Sequence, residues 1–493
     1  MTQSKGKPSV SNNYIMNLLV NIFTLLVPLI TTPYISRALG SESIGIYSYC
    51  LSIETYFVVL GSLGIPTYAK REIASAREDK NRLDQIFSEL LTMQTAILAI
   101  AIVLYASITI GLNTKYRLMF AMCGIGIVAA VFDVSWLFLG LENFKIIVRR
   151  SIVFKAICVA LIFILVKKPE DLYIYALSLM LANLLCNMWL LISARRYVRY
   201  QYPGIKKIFK HIKPAFFLLL PSMVTTVYAV IDKTMLGMIS GNMSEVGFYE
   251  QSQKIVTLSL TLITSLGAVL MPRLAALFSE GNETEFHRYI NKGVSAICFV
   301  ALPLAAGCFV VSDNLVPWFY GAGFEKIVVL LKIFAPMLFF MGISDLIGVQ
   351  AFVAIRKEKQ LLIINIITTV INLTLNAVLI PKYLAYGAAF ATMISELVKC
   401  IIFIVSGRAY LEIKPLIRTM GKYFVASVLM GLIVWLVQMK WLSASSVLHT
   451  VYLIAVGGVL YCAMLLVAKD EWMLKCLGIL RSQINRMRGR KAA

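Results

Sequence analysis

The fold is decided by stretches such as residues 293–311, GVSAICFVALPLAAGCFVV, which contain no charged side chain. A helix that crosses the hydrocarbon core of a bilayer needs about 20 mostly apolar residues. The chain of 493 residues repeats this pattern along its length, with short polar hinges between the apolar segments. Because hydrocarbon offers the backbone no hydrogen-bond partners, these segments must be helical. The sequence therefore predicts an all-α polytopic membrane protein.

The composition also indicates a membrane protein. Hydrophobic residues make up 59% of the chain and charged residues 15%, whereas a soluble domain carries about 25% charged residues. The mean hydropathy is +0.80. A formal net charge of +22 would suggest nucleic-acid binding in a soluble protein. Here Lys and Arg concentrate in alternate hinges, which is the orientation signal of membrane proteins, so we expect no nucleic-acid partner.

We predict about fourteen transmembrane helices, with both termini in the cytoplasm because the more basic hinges then lie inside. The predicted spans are 13–36, 44–68, 86–111, 117–140, 147–166, 172–194, 214–239, 246–272, 290–312, 327–354, 361–380, 384–407, 421–439 and 447–468. The longest inside hinge, residues 195–213, is basic and contains Tyr197, Tyr200 and Tyr202. Such a composition is typical of a segment that lies on anionic lipid.

Two related halves are predicted from a repeated motif. Ile44-Gly45-Ile46-Tyr47 opens the second helix, and Val246-Gly247-Phe248-Tyr249 opens the eighth. Both halves start inside, so the repeats would be parallel, about an axis along the membrane normal. The predicted domains are an N-lobe of helices 1–6 (1–194), a basic cytoplasmic linker (195–213), a C-lobe of helices 7–12 (214–407), helices 13 and 14 (408–468) and a basic cytoplasmic tail (469–493).

Signals for catalysis are poor. The nine Cys form no CxxC pair and lie mostly in apolar runs, where Cys behaves as a small hydrophobic residue. The three His have no Cys or carboxylate at metal-ligand spacing. The chain has no G-x-x-x-x-G-K-[ST] loop for a nucleotide. We expect no catalytic residue, no metal and no cofactor, and hence no enzyme.

Ionisable side chains inside spanning helices are costly, and they are functional candidates for that reason. On helix 8, Glu250 and Lys254 share a face with three threonines. This face lines a cavity, or else Glu250 and Lys254 pair with each other between helices while the threonines bond neighbouring helices. On helix 7, Lys233 faces the cavity or extends to the membrane interface. On helix 5, Lys155 binds an anionic ligand such as pyrophosphate or reaches the inner headgroups.

Two helices carry uncharged amides along one face. Asn17 and Asn21 lie on helix 1, and Asn365 and Asn372 on helix 11. Amides both donate and accept hydrogen bonds, which suits sugar hydroxyls. The alternative is hydrogen bonding between helices.

Arg37, in an outer hinge, completes the substrate-binding candidates. If export is coupled to an ion gradient, the candidate residues are the acidic side chains within spans, Glu54, Asp133 and Asp232.

Several motifs resemble those of a known family. They are Pro33-Tyr34-Ile35-Ser36-Arg37-Ala38-Leu39-Gly40, Asp232-Lys233-Thr234-Met235-Leu236-Gly237, Pro272-Arg273-Leu274 and the two helix-opening motifs above. In these the sequence resembles the Wzx-type polysaccharide flippases, within the superfamily that also holds MATE exporters and lipid II flippases, the MOP superfamily. The chain lacks the arginine-rich first helix typical of lipid II flippases, which argues against a peptidoglycan precursor as cargo.

The resemblance implies two six-helix lobes around a central cationic cavity, in the bacterial cytoplasmic membrane. It implies export of undecaprenyl-pyrophosphate-linked oligosaccharide by alternating access, for O-antigen, capsule or exopolysaccharide. Membrane lipids, a polysaccharide polymerase and glycosyltransferases are the other implied partners. The alternative is a cation-coupled small-molecule exporter of MATE type. An integral-membrane polymerase or ligase is disfavoured because no large outer loop is predicted.

Overall fold

The computed structural model describes residues 10–112, 115–411, 413–440, 445–478 and 482, with the side chains of the first helix from residue 27 onwards. These residues form helices and no strand, so the predicted all-α fold is confirmed. The α-helices are α1 Val10–Ser62, α2 Ile65–Ala76, α3 Lys80–Leu112, α4 Arg117–Val131, α5 Ser135–Gly140, α6 Phe144–Leu165, α7 Leu172–Ala194, α8 Ile205–Ser240, α9 Met243–Ser279, α10 Glu283–Tyr320, α11 Lys326–Ser344, α12 Glu358–Ser406, α13 Ile413–Lys440 and α14 Val447–Val467. A π-helix, Asp345–Phe352, continues α11.

The protein is a multi-pass membrane protein. Within the described ranges, ten helical segments are long and apolar enough to cross a bilayer, or eleven if the bent pair Met243–Ser265 and Leu270–Ser279 is one span. Two of the ten, Val27–Ala76 with 50 residues and Glu358–Ser406 with 49, are long enough for two crossings each, since about 20 residues suffice for one. The 22 residues of α6 are also long enough, but four basic residues interrupt their apolar pattern. Each predicted span lies mostly on helix, although spans 44–68 and 117–140 are interrupted at residues 63–64 and 132–134. The count of fourteen crossings stays a prediction.

The long helices are interrupted at single residues. In α1 the break is at Gly40, whose backbone angles of φ 73° and ψ 172° suit a residue without a Cβ. In α12 it is at Leu384, with φ 53° and ψ −129°, three residues after Pro381. A proline removes a helical hydrogen bond and clashes with the turn before it, so Pro381 weakens the helix here but does not itself account for the angles at Leu384. The sequence predicts hinges at residues 37–43 and 381–383, whereas α1 and α12 continue through these segments.

The chain divides into two compact units, residues 1–250 and 251–493. In the first unit α1 packs against α3, α4, α6 and α8, while α7 packs against α4 and α6. A dense apolar cluster at one end of this unit joins α2, α3, α5, α7 and α8 around Trp136, Leu90 and Ile73. In the second unit α10 packs against α11, α13 and α14, and α11 packs against α12.

The grouping of α8 differs from the predicted lobe boundary. The sequence places helix 7 with the second half, whereas α8 packs along α1, α2 and α3 and belongs to the first compact unit. The physical reason is that one face of α8, including Ala215, is buried in the apolar cluster of that unit. The lobe and domain boundaries given by the sequence stay a prediction.

The two repeated motifs contact each other through their glycines. A Cβ added at Gly45 would collide with the backbone carbonyl of Met243, and one added at Gly247 would collide with the carbonyl of Ser41. Gly45 thus contacts the residue four positions before Gly247, and Gly247 contacts the residue four positions before Gly45. This reciprocal contact brings the backbones of α1 and α9 close together, as small residues do in membrane helix pairs.

A buried carboxylate joins the end of α14 to α13. Asp470 is 2% exposed; it pairs with the Lys422 ammonium, and the Tyr423 hydroxyl donates to it at 2.9 Å. Its other oxygen accepts from the backbone N–H groups of Trp472 and Met473, so it also caps the next helical turn. Burial by itself would raise the pKa of Asp470, but the bonds from Lys422 and Met473 outweigh it and hold this pKa below its ordinary value.

Candidate functional site

Two successive residues of α8 pair with two successive residues of α9. The Tyr249 hydroxyl donates to Asp232 Oδ2 at 2.6 Å, and Lys233 Nζ donates to Glu250 Oε2 at 2.9 Å. Tyr249 and Asp232 are almost fully buried, and the side chains of Lys233 and Glu250 are 15% and 17% exposed. Lys233 therefore pairs inside the unit and does not extend to the membrane interface, which was one of the two alternatives from the sequence.

Polar side chains of α1 lie next to this paired set. Ser52 Oγ and Tyr56 OH each hydrogen-bond Thr234 Oγ1, at 2.8 and 3.0 Å. Glu54, two residues from each of them on another face of α1, is 6% exposed, and its carboxylate lies where a Cβ at Gly126 of α4 would collide with it. Glycine at this position lets a buried carboxylate lie against the α4 backbone. The structure thus brings the coupling candidates Glu54 and Asp232 onto neighbouring elements of the first unit.

The third coupling candidate, Asp133, lies where a predicted span is broken. The helix stops at Val131 and restarts as α5 at Ser135, and Asp133 Oδ1 accepts from the Ser135 N–H at 2.9 Å. Gln94 of α3 donates to the carbonyls of Ala130, Val131 and Asp133 at 2.8–3.3 Å. It accepts from Trp136 Nε1 at 3.0 Å. The amide therefore satisfies backbone groups that a broken helix leaves open.

Lys155 lies on the buried side of α6. It is seven residues from both Val148 and Ile162 and three from Cys158, so it shares their helix face, and these three residues are buried. The Lys155 side chain is nevertheless exposed. Both interpretations of Lys155, binding of an anionic ligand and contact with the inner headgroups, stay predictions.

Arg150 is a buried cation that the sequence did not single out. It is 8% exposed, and its guanidinium donates to Asn187 Oδ1 at 2.9 Å and to the Cys186 carbonyl at 3.3 Å. Asn187 in turn donates to the Ala129 carbonyl near the end of α4. This chain of bonds ties α6 and α7 to the break in α4.

The amide stripe of predicted helix 11 is bonded within the second unit. Asn372 and Asn376 are fully buried. Asn376 donates to Asn372 at 3.2 Å, and Asn372 donates to Thr392 beyond the Leu384 break at 3.5 Å. Asn365 is half-buried. These contacts agree with hydrogen bonding between helical segments, the alternative to sugar recognition, and the sugar role of Asn365 and Asn372 stays a prediction.

Two further candidates lie on α1 and α9. Arg37 is exposed near the Gly40 break of α1, and Lys254 of α9 is half-buried in the second unit. The side chains of Asn17 and Asn21 lie outside the described residues. In the ranges that the structure describes, no three His, Cys, Asp or Glu side chains come together as metal ligands.

A buried histidine cluster in the first unit was missed. In the sequence no carboxylate lies near His211, so His211 was not a candidate functional residue. In the structure His211 is 3% exposed, and its Nε2 bonds Glu89 Oε2 at 2.7 Å. Lys210 also pairs with Glu89, at 2.8 Å, and the Tyr68 hydroxyl lies 2.8 Å from His211 Nδ1. Helices distant in sequence supply the four residues, so no spacing pattern could have revealed them.

The second unit contains a further polar group at the π-helix. Gln350 donates to Asp345 Oδ2 at 3.2 Å; such an i to i+5 contact suits the wider turn of a π-helix, which is frequent at functional sites. Lys399 pairs with Glu396 at 3.0 Å, three residues away on α12, a spacing at which helix side chains are neighbours.

An apolar cavity of about 850 Å³ lies between α10, α11 and α13. Its lining includes Phe309, Phe340, Phe424 and Trp435, with Ser427 as a polar residue. A wall of this composition suits hydrocarbon. It offers few of the hydrogen bonds that sugar hydroxyls need.

The fold and these intramembrane polar groups define a helical membrane transporter, and comparison with known proteins identifies its family. Residues 10–278, more than half of the chain, match the model of the family described as "Polysaccharide biosynthesis protein". The chain belongs to this family. The resemblance to Wzx-type flippases of the MOP superfamily is thereby confirmed.

Individual relatives agree with the family. The chain is 23% identical to the "Putative O-antigen transporter" of Escherichia coli K12 over 79% of this chain and 95% of that protein. A solved structure of the lipid II flippase MurJ in an inward closed conformation matches with a TM-score of 0.76 at 16% identity, over 92% of this chain and 99% of that one. An inward-facing MATE multidrug transporter of the MOP superfamily matches with a TM-score of 0.57 at 15% identity, over 80% and 99%. The two structural matches show a shared fold. The relatives are named as transporters and a flippase, in line with a chain that is not an enzyme.

Proposed function

We propose that this protein is a flippase that moves undecaprenyl-pyrophosphate-linked oligosaccharide across the bacterial cytoplasmic membrane for surface polysaccharide synthesis. The family and the name of the Escherichia coli relative support a polysaccharide cargo. Transport proceeds by alternating access, with both termini in the cytoplasm. A polysaccharide polymerase and glycosyltransferases act before and after it on the same lipid-linked chain.

The observation that carries this proposal is the buried pair Lys233–Glu250, beside the pair Asp232–Tyr249. A charge within an apolar span is retained where it serves transport. A diphosphate is a stronger partner for an ammonium than a single carboxylate is. The arriving diphosphate therefore takes Lys233 from Glu250, while Lys155, exposed on the inner face of α6, adds positive charge.

Release of Glu250 gives the protein a way to couple cargo to an ion. When the Lys233 ammonium leaves, the affinity of the Glu250 carboxylate for a proton or another cation rises. Glu54 and Asp232 lie on adjoining elements and are the other coupling candidates, together with Asp133. The alternative function, small-molecule export of MATE type, shares this coupling but needs no diphosphate.

The experiment is deletion of the gene followed by complementation. We expect lipid-linked saccharide to accumulate in the deleted strain and wild-type protein to restore surface polysaccharide. Lys233→Ala and Glu250→Ala should lower export at least tenfold at equal protein level. The matched control is Lys332→Ala, which breaks the more exposed pair Lys332–Asp313, 2.8 Å long against 2.9 Å for Lys233–Glu250, and should export normally.

Two outcomes would contradict the proposal. Absence of lipid-linked saccharide in the deleted strain would remove the cargo. Normal export in both the Lys233 and the Glu250 variant would remove the paired site and leave the cargo assignment standing.

A further inference from the structure

The first turns of α8 expose a stripe of alternating cationic and aromatic side chains. The stripe, here called the α8 basic stripe, consists of Lys206, Phe209, Lys210, Lys213, Phe216 and Phe217, all exposed. Spacings of three, four and seven residues place them on one helix face. Phe209 is 64% exposed and Phe217 60%, values far above those of a packed aromatic ring.

The opposite face of the same turns is fixed to the protein. His211, Ala215 and Leu219 are at most 3% exposed, and Ala215 is part of the apolar cluster of the first unit. Lys210 and His211 both bond the buried Glu89 of α3. The helix therefore cannot rotate to bury its phenylalanines, and the α8 basic stripe must face its surroundings.

The position along α8 puts the stripe at a membrane interface. The apolar segment Lys206–Ser240 has 35 residues, about 52 Å at a rise of about 1.5 Å per residue. The hydrocarbon core is only about 30 Å thick. One end of α8 must therefore extend beyond it, and the end that carries the lysines is the one that headgroups can solvate. Lysine stems and aromatic rings are favoured at this level.

The charges of the stripe have no acidic counterpart nearby in sequence. Between Asp171 and Asp232 the chain contains no Asp or Glu. In the described part of the chain neither Lys206 nor Lys213 makes an ion pair or a side-chain hydrogen bond. Their positive charge is therefore available to a partner outside the protein.

The preceding linker is also tied to the protein through its backbone. The Arg199 N–H donates to Asp84 at 2.9 Å and the Gln201 N–H to Ser88 Oγ at 3.0 Å, both on α3. Lys80 Nζ also donates to the Tyr197 carbonyl at 2.6 Å. The side chains of Arg199, Tyr200 and Tyr202 are nevertheless exposed, so the expectation that residues 195–213 lie on anionic lipid stays a prediction.

We propose that the α8 basic stripe is a binding site for the phosphate headgroups of anionic phospholipids. Lys206 and Lys213 contact the phosphates, Lys210 adds charge while it holds Glu89, and the three phenylalanines lie among the upper acyl chains. Attraction of this kind contributes about 1 kcal/mol per lysine near an anionic surface. The site is separate from the paired residues of the transport proposal and does not depend on the cargo.

The test is native mass spectrometry of the purified, delipidated full chain titrated with phosphatidylglycerol or phosphatidylcholine. We expect saturable binding of phosphatidylglycerol that weakens with salt, and little binding of phosphatidylcholine. The double variant Lys206→Gln/Lys213→Gln should weaken phosphatidylglycerol binding roughly tenfold to thirtyfold, as two lost contacts of this size predict. The matched control Lys167→Gln/Lys168→Gln removes the same charge from exposed residues on another part of the chain and should bind as the wild type does.

Three outcomes would overturn the proposal. One is equal loss of binding in both double variants, which would show only an effect of net charge. Another is equal affinity for the two phospholipids. The third is strong binding of a polyprenyl diphosphate, lost in the Lys206/Lys213 variant, with no binding of phosphatidylglycerol; the stripe would then receive cargo and not membrane lipid.

Discussion

At the residue scale, the pair Lys233–Glu250 should tolerate an exchange of its two charges better than the loss of one of them. Removal of one partner leaves a buried charge uncompensated, which costs about 3–5 kcal/mol in buried pairs. We expect Glu250→Lys alone to lower the melting temperature strongly, and the double variant Lys233→Glu/Glu250→Lys to recover part of it. Thermal unfolding in detergent measures both. A double variant no more stable than the worse single variant would show that the two side chains do not interact.

Asp470 gives a prediction with a defined pH dependence. Its pKa is lower in the folded protein than the ordinary value of 3.8, so its stabilising effect is complete above that value and is lost as the pH falls through the lower, folded pKa. Asn can still cap the helix, but it removes the charge that pairs with Lys422. We therefore expect Asp470→Asn to lower stability near neutral pH by about 1 kcal/mol. The difference from wild type should shrink below about pH 4. A constant difference from pH 7 to pH 3 would contradict this role.

At the element scale, the crossing of α1 and α9 depends on two glycines. Gly45→Ala and Gly247→Ala each force a Cβ into a backbone carbonyl, and overpacking of this kind costs about 1–3 kcal/mol. Gly458→Ala, in α14, has open space around its Cβ and should be neutral or slightly stabilising. Unfolding temperatures of the three variants provide the measurement. Full stability of both Gly45→Ala and Gly247→Ala would mean that the two helices do not cross this closely.

The break between α4 and α5 depends on Gln94. Gln94→Leu keeps a similar volume but leaves backbone carbonyls and the Trp136 indole without their partner, which costs about 1–3 kcal/mol for each buried group left unsatisfied. We expect faster amide exchange around residues 130–136, measured by hydrogen–deuterium exchange. Exchange in α14, in the other compact unit, is the internal control and should not change.

The helices themselves could be predicted because the length of each apolar segment determines them. Runs such as 293–311 have no stable alternative to helix in hydrocarbon, and most residues of the predicted spans are helical in the described chain. The interruptions were harder, because Gly40 and Leu384 bend helices that continue through the predicted hinges. The π-helix at Asp345 left no recognisable pattern in the sequence.

Partners of the site residues were the least predictable part. Spacing along one helix accounts for the pair Glu396–Lys399, but it does not indicate Lys233 as a partner of Glu250. The observed ion pair with Lys233 depends on how α8 and α9 lie side by side, which periodicity does not contain. His211 and Glu89 were missed for the same reason: each belongs to a different helix, and only packing brings them together.

At the scale of the whole molecule, the orientation in the membrane is open to a direct test. The charge distribution predicts that residue 168 lies outside and residue 204 inside. We expect alkaline phosphatase fused after Lys168 to be active, and a fusion after Gly204 to be inactive. A fluorescent protein, which folds in the cytoplasm, should give the reverse pattern at these two sites. Activity of phosphatase at both sites would refute the predicted topology between them.

The reciprocal glycine contact has a consequence for the origin of this chain. A twofold axis between identical subunits produces reciprocal contacts. In such a contact, each segment presents the same residue to the same position of the other. Ser41 and Gly45 in one motif correspond to Met243 and Gly247 in the other. A half-length ancestor could therefore have self-associated through this surface before duplication and fusion joined the copies. The modern pair of glycines would then be the inherited dimer interface of a protein that is now one chain.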